Sequence, residues 1–176
     1  ALQLIHEKIA FNCFCTSAVL QSKKDLAQKE NRPYYYDDAC LSLLPEDTID
    51  NTAAFSVRLR KPQVDVSFTD LVQGECTYTP EMIDSFQILH TDKSPTYNFA
   101  CAVDDMLSNI STVIRDISHL DDTPKQIAAR AALNYTQNID YAHVPSLIIQ
   151  DEKDGNVKAL LEQGYLPEAI INYLLS

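Results

Sequence analysis

The stretch ISTVIRDISHLDDTPKQIAARAALNY, Ile110 to Tyr135, decides what kind of fold this chain adopts. Its first part, ISTVIRD (110–116), is a short β-branched run that predicts a strand. TPKQIAARAALNY (123–135) carries a proline at its second position and then helix formers, which predicts a helix. Working outward, TYNFACAVDDMLS (96–108) reads as a helix, and SFQILHTD (85–92) and HVPSLIIQ (143–150) read as strands. The order is strand, helix, strand, helix, strand. Strands separated by helices of this length predict a parallel sheet with crossover helices, whose functional residues gather at the carboxyl ends of the strands. Asp92, Arg115, Asp116 and Gln150 are placed near those ends.

The front of the chain has a different texture. Leu2, Ile5 and Ile9 form a helical stripe over residues 1–10, residues 17–29 form a polar helix, and FSVRLR (55–60) and VDVSFTDLV (64–72) alternate as half-exposed strands do. Between them KENRPYYYDDACLSLLPEDTID (29–50) is proline-punctuated and tyrosine-rich, and predicts irregular structure packed on its neighbours. This part reads as an α+β insert. At the other end, GYLPEAIINYLLS (164–176) predicts a helix with Leu166, Ala169, Ile170, Tyr173 and Leu174 on one face, whose simplest partner is the body of the same chain.

Composition excludes several classes. The 176 residues are 45% hydrophobic, enough for a sizeable core, and no apolar run approaches the roughly 20 residues that cross a bilayer. The start of the sequence has neither a basic leader nor a cleavage pattern, so nothing in it suggests export. With 25 acidic against 14 basic residues the net charge is −11, which opposes general affinity for a phosphate backbone; any nucleic-acid contact must be local. Three glycines in the whole chain leave no room for a glycine-rich phosphate loop. Five cysteines without a secretory signal read as reduced thiols or metal ligands.

Two groups of residues carry chemistry. Cys13 and Cys15 form a CxC pair, and Cys40 arriving from the irregular segment would give a third thiolate toward a tetrahedral metal shell. Tyr36 or Asp37 could add an oxygen; Ser42 is a poor ligand. The alternative is a set of ordinary buried thiols. Arg115 ends its strand at the sheet's carboxyl edge, where a guanidinium can hold a carboxylate by two parallel hydrogen bonds or can instead pair with Asp104 or Asp105. Tyr97 opens the preceding helix and can place a hydroxyl beside the same ligand, or serve as a core residue with a polar tip. His6, His90, His119 and His143 are scattered, and no nucleophile–His–acid triad can be assembled from them. The residues alone lead to an α/β ligand-binding domain with a candidate carboxylate site.

Several ordered blocks resemble a known family. SPTYNFACAVDD (94–105), STVIRDISHLDDTPKQ (111–126), AHVPSLII (142–149) and GYLPEAIINYLL (164–175) are similar to consecutive blocks of bacterial glutamyl-tRNA synthetases. NCFCT (12–16), PYYYDDAC (33–40) and VSFTDLVQGE (66–75) resemble that family's acceptor-binding insert. Glutaminyl enzymes and glutamyl-queuosine synthetases share parts of the pattern. The resemblance implies the second half of a Rossmann-type parallel-sheet catalytic domain with an inserted α+β acceptor-binding subdomain. Its parts are residues 1–12 as the end of the first catalytic half, 13–84 as the insert, 85–152 as the second half, and 153–176 as the start of a stem-contact region. It further implies that the HIGH signature would precede Ala1 and that the KMSKS-like loop would fall between Ile149 and Val157. The sequence there is QDEKDGN, so the fragment alone is expected to be inactive.

By the same resemblance, the parent enzyme activates L-glutamate with ATP and magnesium and esterifies the acceptor end of tRNA, in the cytoplasm and as a monomer with no membrane contact. Arg115 matches the arginine that pairs with the glutamate side chain, Tyr97 borders that pocket, and Cys101 falls where some members place an asparagine. Ser118 and Leu147 match positions that approach ATP. Cys13, Cys15, Tyr36 and Cys40 match a structural zinc set, Tyr36 standing four before the last cysteine as in some relatives. Two departures are plain: Asp116, Ile117, Ser118 and His119 replace GEDH, and Cys40 is followed by Leu41 and Ser42 where other members have a histidine two residues on. A non-catalytic module of the same descent, binding a tRNA acceptor stem or a protein, is the alternative function.

Overall fold

The computed structural model describes residues 1–43, 52–145 and 157–174. In chain order its elements are α1 (Leu2–His6), β1 (Ala10–Cys13), α2 (Ser17–Lys29), β2 (Ser56–Leu59), β3 (Val66–Asp70), β4 (Gly74–Tyr78) and α3 (Pro80–Ile83). There follow β5 (Gln87–Leu89), α4 (Tyr97–Leu107), β6 (Thr112–Asp116), a 3-10 helix (Ile117–Asp122), α5 (Thr123–Ala132), β7 (Asp140–Val144), α6 (Val157–Glu162) and α7 (Pro167–Leu174).

The helices end where local chemistry stops them. Asn109 after α4 and Asn134 after α5 adopt left-handed φ values of 51° and 59°, and the next residue returns a hydrogen bond to the helix: Ile110 N–H to Asp105 C=O and Tyr135 N–H to Arg130 C=O, both 3.0 Å. Asparagine tolerates this conformation better than most residues, so both helices are sealed by the same device. The helical reading of residues 1–10 is corrected: Lys8, at φ 59°, ends α1 early, and residues 10–13 pair with β2 as a strand.

Two sheets result. β1, β2 and β5 form an antiparallel sheet, and β4, β3, β7 and β6 form a second in which β3–β7 and β7–β6 are parallel and β4 folds back antiparallel on β3. The parallel sheet with a crossover helix is present, but its third strand is β3, not the one expected at 85–92. That segment shortens to Gln87–Leu89 and joins β2, because Ile88 is fully buried in the core that the antiparallel sheet shares with Leu4, Val57, Leu59, Phe99 and Ala129. Both sheets therefore draw strands from each side of the boundary expected between residues 84 and 85.

The β3–β4 hairpin closes through Leu71–Gln73. The Asp70 carboxylate accepts the Val72 and Gln73 N–H groups at 2.9 Å each, and Gly74 supplies φ +80° where a side chain would be strained. β7 starts three residues before the expected 143 and runs Asp140–Val144; residues 146–150, with Leu147 and Gln150, lie outside the described residues. In α7, Ile170 is buried while Leu166, Ile171 and Tyr173 are exposed.

Candidate functional site: a guanidinium row and a cysteine cluster

The first site lies at the carboxyl ends of β3, β7 and β6. Arg115 and His143 are register partners on the parallel pair β6–β7. Arg115 Nε donates to His143 Nε2 at 3.0 Å, Nη1 to Gln126 Oε1 at 3.1 Å and Nη2 to Thr123 Oγ1 at 2.7 Å. The expected alternative, an ion pair with Asp104 or Asp105, does not form: among the described residues the guanidinium's partners are neutral acceptors. Three of its five N–H groups are engaged by those acceptors, and the Tyr97 hydroxyl also interacts with the guanidinium.

Gln126 and Thr123 reach the site because α5 begins immediately below it, with Thr123 at its first position. The network then extends outward: Gln126 Nε2 donates to Asn98 Oδ1 at 3.0 Å, Asn98 Nδ2 to Asp122 Oδ1 at 2.9 Å, and Asp122 Oδ2 meets His119 Nδ1 at 3.0 Å. Tyr97, one residue before Asn98, packs its ring 5.4 Å from that of His119. Its hydroxyl interacts with both Cys101, one turn along α4, and Arg115; burial raises the phenol's pKa, and Arg115 opposes the rise. Tyr97, Cys101 and Arg115 are thus brought together from α4 and β6. Ser118 stands apart, exposed on the 3-10 helix, with its N–H capped by the Asp116 carboxylate at 2.8 Å. Leu147 is outside the described residues.

The second site joins β1 to the tyrosine-rich segment. The sulfurs of Cys13, Cys15 and Cys40 lie within 4.8 Å of one another, with Cys15 Sγ and Cys40 Sγ 3.5 Å apart. Tyr36 Oη lies 3.3 Å from Cys13 Sγ and 3.6 Å from Cys15 Sγ, and it accepts the Cys40 N–H at 3.1 Å. Asp37 is elsewhere, exposed and paired with Lys23 at 2.6 Å, so the oxygen in this cluster is the tyrosine's. Burial pushes the Cys13 thiol up, but the Tyr36 hydroxyl and the nearby Arg58 outweigh it and bring the pKa down to about 7. Cys15 goes the other way, raised by burial and by Cys40 to about 11. Asp84 pins the segment from below by accepting the Tyr36 N–H at 2.8 Å, and burial raises its carboxyl pKa.

The spacings test a tetrahedral metal directly. With Zn–S near 2.3 Å and Zn–O near 2.0 Å, ligand atoms sit about 3.8 Å (S···S) and about 3.5 Å (O···S) apart. The Cys15–Cys40 distance of 3.5 Å and the two Tyr36 distances of 3.3 and 3.6 Å are close to those values, so this donor set fits zinc.

Two buried residues at this site escaped the sequence reading. His143 and Asp70 are both fully buried, with His143 Nδ1 2.6 Å from Asp70 Oδ2. The signal available was that each stands at the end of a short strand: Asp70 closes β3, and His143 is the penultimate residue of β7.

A parallel-sheet α/β domain with a cation at the carboxyl ends of its strands defines a Rossmann-like ligand-binding class. Along its whole length, residues 1–176, the chain matches the family model "tRNA synthetases class I (E and Q), catalytic domain", and it belongs to that family. It is 52% identical over 182 residues to glutamate–tRNA ligase 2 of Sulfurimonas denitrificans and 47% identical to glutamate–tRNA ligase 2 of Campylobacter jejuni subsp. doylei, covering 99% of this chain and 42% of each relative. The fold is similar to the glutamate–tRNA synthetase of Elizabethkingia anophelis, with a TM-score of 0.77 at 20% identity, over 99% of this chain and 42% of that one. It is also similar to a glutamate–tRNA ligase of Elizabethkingia meningosepticum in complex with its amino acid, with a TM-score of 0.75 at 20% identity and the same coverage. The chain spans 42% of the length of these relatives.

Proposed function

We propose that this chain is the central part of a glutamate–tRNA ligase, in which Arg115, Tyr97 and Cys101 receive the carboxylate of L-glutamate while ATP and magnesium activate it for transfer to the acceptor end of tRNA. The observation that carries the reading is the convergence of Tyr97 and Cys101 on a half-buried Arg115 whose partners are neutral. A guanidinium whose hydrogen-bond partners are neutral keeps its charge for an incoming carboxylate, and a planar guanidinium suits a carboxylate better than an ammonium would. Catalysis in such an enzyme comes from positioning and from cations that stabilise the transferring phosphoryl group. Ser118 and Leu147 are assigned to the ATP side, residues 13–84 to the tRNA acceptor stem, and the protein to the cytoplasm as a monomer; no helix among the described residues is long and apolar enough to cross a membrane.

Cys13, Cys15, Tyr36 and Cys40 would hold a structural zinc, which ties β1 to the 33–40 segment and so fixes the insert against the core. The test of the whole reading is glutamylation of tRNA by the full-length protein with ATP and labelled glutamate. Arg115→Ala should raise the KM for glutamate at least tenfold; an unchanged kcat/KM for glutamate removes the assignment. Elemental analysis of purified protein tests the metal, and less than a tenth of an equivalent of zinc would leave the cluster as plain thiols.

A further inference from the structure

The Asp70–His143 pair is unused by the ligase reading, yet it is the most buried polar pair at the site. Asp70 closes β3, His143 is the penultimate residue of β7 and Arg115 the penultimate residue of β6, so the three form a row across neighbouring strands at one edge of the sheet. The Asp70 carboxylate accepts four times: from Val72 N–H and Gln73 N–H at 2.9 Å each, from His143 N–H at 3.1 Å and from the His143 ring at 2.6 Å. A carboxylate so used must be ionised. Burial raises its pKa, but the N–H groups of Gln73, His143 and Val72 outweigh that and hold it below the ordinary value of 3.8.

An acceptor-only Asp70 fixes the imidazole tautomer, because Nδ1 must carry the proton that Asp70 receives. The lone pair is then on Nε2, where Arg115 Nε donates at 3.0 Å and the Thr123 hydroxyl lies at 3.1 Å. We propose that Asp70 and His143 are positioning residues for glutamate recognition: the ionised carboxylate sets the imidazole tautomer, and the tautomer holds the Arg115 guanidinium in place for the substrate carboxylate. The inference rests on the glutamate pocket proposed above. An arginine held in one rotamer gives up less freedom on binding, so the benefit falls on substrate affinity.

Asp70→Asn separates this role from a structural one. Because Oδ1 must keep accepting the Val72 and Gln73 N–H groups, the new amide nitrogen faces His143 Nδ1, and the imidazole proton moves to Nε2, against the Arg115 N–H. Steady-state glutamylation by the full-length protein should show a KM for glutamate raised about tenfold in Asp70→Asn, roughly the loss expected for one freed side chain, with the KM for ATP unchanged. The same substitution in an Arg115→Ala background should add nothing.

Long-range 15N–1H spectra should place the His143 proton on Nδ1 in the wild type and on Nε2 in Asp70→Asn. The proposal is overturned by a wild-type His143 protonated on Nε2, a result that needs no variant to fold. An unchanged glutamate KM in Asp70→Asn with the tautomer inverted also overturns it, as does an equal effect with and without Arg115. If Arg115→Ala itself leaves the glutamate KM unchanged, the pocket fails and this inference falls with it, a pattern distinct from Asp70→Asn alone being silent.

Discussion

The Arg58 guanidinium lies 3.7 Å from the centre of the Tyr36 ring, whose hydroxyl meets the sulfurs of Cys13 and Cys15. Arg58 is itself buried, with Nη1 tied to the Ser85 carbonyl at 2.8 Å. Three thiolates and a phenolate around a divalent ion carry a net negative charge, which is costly to bury unless a cation balances it. Arg58 would supply that cation to a bound metal, and it already lowers the pKa of Cys13.

Arg58→Met should therefore weaken zinc binding by roughly 10- to 100-fold, the usual cost of losing an outer-shell partner. Competition with a chromophoric chelator measures it. An affinity equal to wild type would show that the shell carries its own charge unaided.

How far the site could be read from the sequence depends on strand ends. ISTVIRD and TPKQIAARAALNY were legible because β6 and α5 carry clear local patterns, and Arg115 was legible because it stands next to the last residue of β6. His143 was hidden by a register error. Taken as the first residue of a strand at 143–150, it belongs at the opposite end of the sheet from Arg115; as the penultimate residue of Asp140–Val144, it is Arg115's neighbour. Asp70 lies 73 residues away from it, and no local pattern joins the two. The β5 segment was misassigned for a related reason: a three-residue apolar run has no period of its own, and tertiary burial of Ile88 decided its sheet. The CxC cluster, by contrast, needs only two short segments, and the residue types announced it.

Arg115→Lys should behave much like Arg115→Ala toward glutamate. A single ammonium cannot satisfy His143, Gln126 and Thr123 and still offer a donor to the carboxylate. Losing a charge-assisted pair costs about 2 kcal/mol, or about 30-fold in the glutamate kcat/KM. A lysine variant within threefold of wild type would mean that the carboxylate needs only a positive charge.

Acid should act on the fold through Asp70. Its folded-state pKa is depressed below 3.8, so the carboxylate's contribution is complete above that value and is lost as pH falls through the lower, folded-state pKa. Urea midpoints measured from pH 5 downward should fall more steeply below about pH 4 in wild type than in Asp70→Asn. Parallel acid limbs in the two proteins would contradict the linkage.

Arg130 gives a stability test away from the ligand. It is 5% exposed, it donates through Nη2 to the Tyr141 hydroxyl, and its Nη1 has no partner among the described residues. Asp105 feels this charge, which lowers its pKa against the rise that burial causes. Tyr141 also packs edge-on against Phe68, so Tyr141→Phe keeps the ring contact and removes only the hydroxyl that answers the guanidinium. Losing a buried hydrogen bond to a charged group costs about 2 kcal/mol, more than the few tenths expected of a surface change. Urea denaturation should register that drop with an unchanged m-value. A variant as stable as wild type would show that the Arg130 charge is compensated by other means, with Asp105 the first group to replace next.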